Sequence, residues 1–326
     1  MERDRGTVFV LTDYGLSDEL AGVLKAVILR EAPGAPILDL THSIPAFDVR
    51  AGALALSRAV PDLGPGVVVA VVDPGVAGKR RAVAIKVPEV DLPKVDLPEV
   101  EQPAIEQPAI EQPASPDSTR VPTTGHRGPR YFVGPDNGLL VWAAEVLGGV
   151  EEAVQLRRPR PTGPGAADRG STFDGRDVFA PAAAALWRGV PLSDLGNTID
   201  PTSLVRVKDP RLELGPGVIE TEVTWVDGFG NVQLPARPAD ARHAGITAVD
   251  DPGVWIRVTA KRCDFVTCLV TAFEDIEPGG IGLIVDSNGH LALAGDRSSA
   301  ALTLGLDTGD VVTLTQVTRP DDGGSA

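Results

Sequence analysis

VVVAVVDPGVAGKRR, residues 67–81, opens with six apolar residues, five of them β-branched, and no charge. Such a run predicts a strand buried on both faces of a sheet. Asp73 follows it, placing a carboxylate at the strand's carboxyl end, where open α/β sheets put ligands and chemistry. Pro74 and Gly75 turn the chain, and Arg80 and Arg81 bring positive charge back to the same edge. Taken alone, the stretch fits a reactive acid–base pair and equally a surface ion pair beside a tight turn.

The neighbouring segments repeat the pattern. Residues 7–12, TVFVLT, form a second short strand closed by Asp13 and Gly15. Asp18 precedes apolar residues at helical spacing (Leu20, Val23, Leu24, Val27, Ile28) and is expected to cap that helix or to bind a ligand. A strand over 36–40 and a loop and helix over 41–60 complete a βαβαβ pattern, hence a parallel sheet with right-handed crossovers. Strands at 82–87 and 131–133 and a helix from Leu139 extend it. A later alanine-rich helix is expected to begin at Asp177, with Pro181 in its first turn and Asp174, Arg176 and Asp177 crowding the loop before it.

Between the strands lies an insert, 88–128, with three tandem Glu-Gln-Pro-Ala copies from Glu101 and prolines every five residues. Those prolines oppose both helix and ladder formation. Beyond a proline- and charge-rich stretch at 200–217 the period changes to alternation, which predicts short antiparallel strands. The expected architecture is therefore an α/β N-terminal domain with a mostly parallel sheet (1–205) and a smaller C-terminal antiparallel β-barrel (206–326).

The chain has 326 residues and a formal charge of −15, which argues against a nucleic-acid partner and suits a cationic ligand. Of that charge, residues 88–118 hold −7, from eight acids and one lysine. The two cysteines, Cys263 and Cys268, are oddly spaced on one strand and suggest neither a disulfide nor a metal pair. No apolar leader or run of membrane-spanning length is read, so a cytoplasmic, membrane-free protein is expected. Phosphate-binding GxxxxGK[ST] and GxSxG motifs are missing, and histidines such as His42 and His126 are scattered; neither metal nor cofactor is expected.

LTDYGLSD, THSIPAFD, VVDPGV with its arginine pair, VGPDNGLL, STFDGRDVFAP, VDGFGNV and LALAGDRSSAA occur in this order along nearly the whole chain outside the insert. Together they resemble the S-adenosylmethionine hydroxide adenosyltransferases, relatives of fluorinase and chlorinase. The resemblance implies hydrolysis of S-adenosylmethionine to adenosine and L-methionine, in a homotrimer whose sites lie between one subunit's N-terminal domain and its neighbour's C-terminal domain. It also implies that Asp13 holds the ribose hydroxyls and Asp18 the methionine amino group, and that Phe47 stands near the sugar. Asn231 with Phe229 would read adenine, Ser287 would bind the methionine carboxylate, and Asn137, Phe173 and Asp227 would complete the substrate-binding set. The water-positioning group would be Asp73, Arg80 and Asp174. At the last of these positions the hydrolytic members carry His, so this chain departs from its relatives.

The chemistry suits such residues. Displacement at the 5′ carbon of a sulfonium expels a neutral thioether, so no general acid is required. An oriented water and a nearby proton acceptor are required. A module that binds the sulfonium compound without turnover, keeping Asp13, Asp18 and Asn231, is an alternative reading. A halogenase is another, which the acidic residues Asp73 and Asp174 oppose.

Overall fold

The computed structural model describes residues 6–89, 91–92, 126–127, 130–158, 170–246 and 255–317. It divides into two compact units, Met1–Val207 and Lys208–Ala326. The first holds strands β1 (Thr7–Thr12), β2 (Ile37–Thr41), β3 (Gly66–Val71), β4 (Ala82–Lys86), β5 (Asp91–Leu92), β6 (His126–Arg127), β7 (Tyr131–Pro135), β8 (Glu152–Leu156) and β9 (Gly196–Ile199). Its helices are α1 (Leu20–Glu31), α2 (Val49–Ala59), α3 (Val141–Val146) and α4 (Ala180–Trp187).

Seven strands form one sheet in the order β2-β1-β3-β7-β4-β8-β9. The first three pairings are parallel and the last three antiparallel, so only β4 and β9 run against the rest. β3 is an interior strand, between β1 and β7, and every residue of it is buried. Val67, Val69 and Val71 join Val8 and Val10 in a core with Leu24 and Ile28 of α1 and Ala183 of α4. On the opposite face α2 comes so close that a Cβ on Gly52 would lie 2.8 Å from a Leu139 methyl and 3.0 Å from one of Val72. An apolar run with no alternation follows from this two-sided burial, each fully buried valine contributing about 1.5–3 kcal/mol. β1 leads to β2 on one side of the sheet while β3 leads on to β4 on the other, so the chain diverges between the carboxyl ends of β1 and β3.

Two local expectations change. α1 starts at Leu20 with Glu19 at its N-cap and no side-chain cap; residues 16–19 form bends first, leaving Asp18 exposed ahead of the helix. The alanine-rich helix starts at Asp174, not Asp177, through a π-turn over Gly175–Phe179. The Ala180 amide donates to the Gly175 carbonyl, five residues back, and this wider turn precedes Pro181, which has no amide to give.

The insert falls largely outside the described residues. Its base is defined: the Val87 amide donates to Arg130 O at 3.0 Å, and β5 pairs with β6 antiparallel. Because the ladder closes below it, replacing residues 93–125 by a short Gly/Ser linker should leave melting temperature and turnover nearly unchanged. A large drop in either, measured side by side with the parent, would show that the proline repeat packs on the body.

The second unit contains β10 (Leu212–Gly215), β11 (Val218–Glu222), β12 (Trp225–Val226), β13 (Val232–Gln233), α5 (Pro238–His243), β14 (Trp255–Ala260), β15 (Cys263–Cys268), β16 (Ile281–Val285), β17 (Leu291–Gly295), α6 (Ala300–Leu304) and β18 (Val311–Val317). They form two antiparallel sheets, β10-β11-β18-β14-β15 and β12-β13-β17-β16, around a core that includes Ile219, Leu234, Ile256, Leu293 and Leu314. The expected barrel is not formed, because neither sheet closes. β12 and β13 are two residues each, too short to carry a ladder around, and the approach of β15 to β16 is a single bridge, Leu269 to Leu283. Among the described residues no helix is long and apolar enough to cross a membrane.

Candidate active site

β1 and β3 pair in register, Thr12 opposite Val71, so the residues after each strand emerge side by side. The Asp13 amide donates to Val71 O at 3.3 Å, and the Asp13 carboxylate accepts the Phe47 amide at 2.9 Å. Phe47 has φ of +68°, a left-handed conformation that costs a bulky residue roughly 1–2 kcal/mol. The bond from its amide supports that conformation and leaves the ring 69% exposed at the rim of a cleft. The cleft has a volume of about 670 Å³ and is lined from the first unit. Asp13, Asp18, Glu19, Asp73 and Asp174 line it against one cation, Arg176, a balance that favours a positively charged ligand.

Beneath it the two arginines that follow β3 part company. Arg80 Nε donates to Asp73 Oδ1 at 2.9 Å, and its Nη2 bonds both Asp73 Oδ2 and Asp174 Oδ2. The Gly75 amide donates to Asp73 Oδ1 at 3.2 Å and holds the turn that starts there. Arg81 instead donates from Nε to buried Asp136 at 2.6 Å and from Nη1 to Ser203 Oγ at 3.0 Å, a structural tie. The side chains of Asp73, Arg80 and Asp174 are only 6%, 9% and 2% exposed, which excludes a solvated surface pair. Burial pushes the Arg80 guanidinium down, but Asp73 and Asp174 outweigh it and hold Arg80 above its ordinary value. It also lies 5.3 Å over the Phe179 ring, and its buried Nη1 makes no hydrogen bond to the protein.

Two groups not marked by the sequence stand here. Arg158, just after β8, donates from Nη1 to Asp174 Oδ1 at 2.5 Å and from Nη2 to Oδ2 at 2.9 Å. Tyr14 lines the cleft, edge-on to Phe173 with centroids 5.7 Å apart. Burial first, then Asp13, Asp73 and Asp174, push its phenol well above the ordinary range, so it stays protonated and can donate. A Cβ on Gly175 would lie 2.3 Å from the Tyr14 hydroxyl oxygen and 3.0 Å from the Phe173 ring. Gly175→Ala should therefore displace the phenol and lower stability by about 1–3 kcal/mol, read as a shift in the urea midpoint. An unshifted midpoint with unchanged turnover would show that the contact yields freely.

With this geometry in place, comparison with known proteins is informative. The chain matches the SAM hydroxide adenosyltransferase N-terminal domain over residues 8–91 and 116–196, and the C-terminal domain of the same description over 221–313. The chain belongs to the SAM hydroxide adenosyltransferase family. A Salinispora arenicola protein named (R)-S-adenosyl-L-methionine hydrolase is 37% identical over 93% of this chain and 95% of its own length. A fluorinase from Actinoplanes is 27% identical over 94% of this chain and 96% of its own length. A solved structure of an uncharacterized conserved protein from Thermotoga maritima superposes with a TM-score of 0.73 at 29% identity, covering 95% of this chain and all of that one. The break in the family match, between 91 and 116, lies inside the insert.

Among the site residues that the family resemblance implies, Asp13, Asp18, Phe47, Asp73, Phe173 and Asp174 line the one cleft, with Arg80 locked behind it. Asn137 does not line it: its Nδ2 donates to Val72 O at 2.8 Å and its Oδ1 accepts from the Leu139 amide at 3.2 Å, fixing the backbone just before Asp73. The others belong to two loops of the second unit. Asp227 Oδ1 accepts the amides of Phe229 and Asn231 at 2.9 Å each, and its Oδ2 accepts Asn231 Nδ2 at 2.9 Å. Asn231 is thus buried and oriented, while Phe229 is 84% exposed. Ser287 is exposed on a turn closed by Asp286, which accepts the amides of Asn288 and His290 at 2.9 Å.

Proposed function

We infer that this chain hydrolyses S-adenosyl-L-methionine to adenosine and L-methionine, water attacking the 5′ carbon. The observation that carries it is the buried Asp73, Arg80 and Asp174 group behind an acidic cleft, in a chain closely similar to named hydrolases of that compound. In the attack, the water oxygen bonds to the 5′ carbon, the carbon–sulfur bond breaks with its electron pair going to sulfur, and one proton leaves the water. The leaving thioether is neutral, so the protein needs no acid and no cofactor. Asp13 is assigned to the ribose hydroxyls, Asp18 to the methionine ammonium, and Phe47 to the sugar face. Asp73 and Asp174 stabilise the sulfonium and accept the proton, and the spare Arg80 Nη1–H suits a bound water.

The remaining assignments, Asn231 and Phe229 to adenine and Ser287 to the carboxylate, fit the homotrimer, in which a neighbouring subunit supplies those loops. Sedimentation of the purified chain tests the assembly. A cytoplasmic location suits a substrate made inside cells and two unpaired cysteines. Halogenation is disfavoured because the five carboxylates lining the cleft would repel an incoming halide.

The test is incubation with each sulfonium epimer in ¹⁸O-labelled water, with and without chloride or fluoride. Adenosine labelled at its 5′ hydroxyl is expected. A 5′-halo nucleoside would make the chain a halogenase, and binding without turnover would make it a non-catalytic module.

A further inference from the structure

Asp73 and Asp174 are two buried carboxylates with one buried arginine between them, which by itself leaves a negative charge in a site shielded from water. The fourth member removes it. Arg158 clasps Asp174 through both Nη nitrogens, at 2.5 and 2.9 Å, and is itself 44% exposed. The two-pronged geometry fixes the plane of the carboxylate as well as its charge. It comes from a different part of the chain than any other member, the end of β8, and it does not line the cleft.

We propose that Arg158 is a positioning residue of the site: it neutralises Asp174 and orients it toward Arg80, so that the carboxylates presented to the cleft, Asp73 and Asp174, are held in a fixed, charge-balanced row with Arg80 and Arg158. This rests on the hydrolase reading for its kinetic consequences but not for its electrostatic ones. The charged and titratable groups around Asp174 are Arg80 and Asp73 from the β3–β4 turn, Arg158 after β8, Tyr14 and Asp13 after β1, and Arg176 and Asp177 on its own helix. Arg176 is taken up by Asp177, at 2.7 Å, and among the described residues Arg80 and Arg158 are the cations bonded to Asp174.

The test compares the parent with Arg158→Lys, Arg158→Gln and the double variant Arg158→Gln, Asp174→Asn, all as full-length protein. Without substrate, urea midpoints are measured at pH 5 and pH 8. With one cation lost, a carboxylate kept in the native pocket takes up a proton more readily than in the unfolded chain. The deficit of Arg158→Gln should therefore be small at pH 5 and grow as pH rises to 8, and the double variant should lose that pH dependence. With S-adenosylmethionine, Arg158→Gln should lower kcat/KM by about tenfold or more at the acid end and less at the alkaline end, since an opposite charge within contact typically moves such a limb by 1–3 units. Arg158→Lys, which keeps the charge without the two-pronged geometry, should recover the pH trend but only part of kcat/KM. A deficit equal at both pH values and shared by the double variant, with parallel pH–rate curves, would overturn the proposal and leave Arg158 as packing. Absence of turnover in the parent would sink the hydrolase reading alone, because the urea comparison needs no substrate.

Discussion

Arg80→Ala is expected to destabilise the first unit by about 3–5 kcal/mol at neutral pH and to abolish turnover. The side chain is the shared cation of two carboxylates that are 6% and 2% exposed, and without it their charges are left close together in a buried site. Truncating it also strips the face of Phe179 of its guanidinium. The sign of the pH dependence follows. Asp73, left without its cation while Asp174 keeps Arg158, binds a proton more readily in the variant's native state than in the unfolded one, so the variant should regain stability as pH falls and lose it as pH rises toward neutrality. Urea midpoints of variant and parent at pH 5 and pH 8 measure this. Equal midpoints at both pH values would mean that the ion chain contributes nothing to folding.

The second large effect separates the two carboxylates. Asp73→Asn should keep substrate affinity while the single-turnover rate falls by roughly 10²–10⁴-fold, the usual contribution of a proton acceptor. Asp174→Asn should fall by about 10²-fold for a mixed reason. Both Asp174 oxygens accept from arginines, and an amide there must turn its NH₂ toward one of them, donor against donor. Asp73, held by Arg80 and the Gly75 amide, has one arginine rather than two competing for its lone pairs. If Asp174→Asn leaves the rate near that of the parent and Asp73→Asn does not, Asp73 alone takes the proton and Asp174 serves only to hold Arg80.

The interior strand β3 was legible because burial on both faces demands an uninterrupted apolar run, and Val67 to Val72 supply one. Its carboxyl-end position followed from the parallel βαβαβ pattern, so Asp13 and Asp73 could be paired before any coordinates. Arg158 could not, since a lone arginine after a strand reads like any solvated residue and its partner lies 16 positions away. Tyr14 sits inside the LTDYGLSD motif, but its raised phenol pKa comes from burial first and then from three carboxylates gathered by folding. Alternation in the second unit disclosed strands, whereas closure depends on pairing partners and strand lengths that alternation does not encode. At Asn137 the side-chain amide bonds the backbone just before Asp73, a tie between distant segments that the sequence does not disclose.

The π-turn over Gly175–Phe179 sets an angular phase. Each residue of an α-helix advances by about 100°, so one residue more or fewer in this turn would swing everything before it around the axis by that amount relative to α4. Asp174 lies before the turn and meets Arg80, while Phe179 ends it and meets the same guanidinium. A one-residue deletion here would keep the composition of the site nearly intact and still point its acid elsewhere. Chemistry in this protein is thereby tied to a count of residues as much as to their kinds.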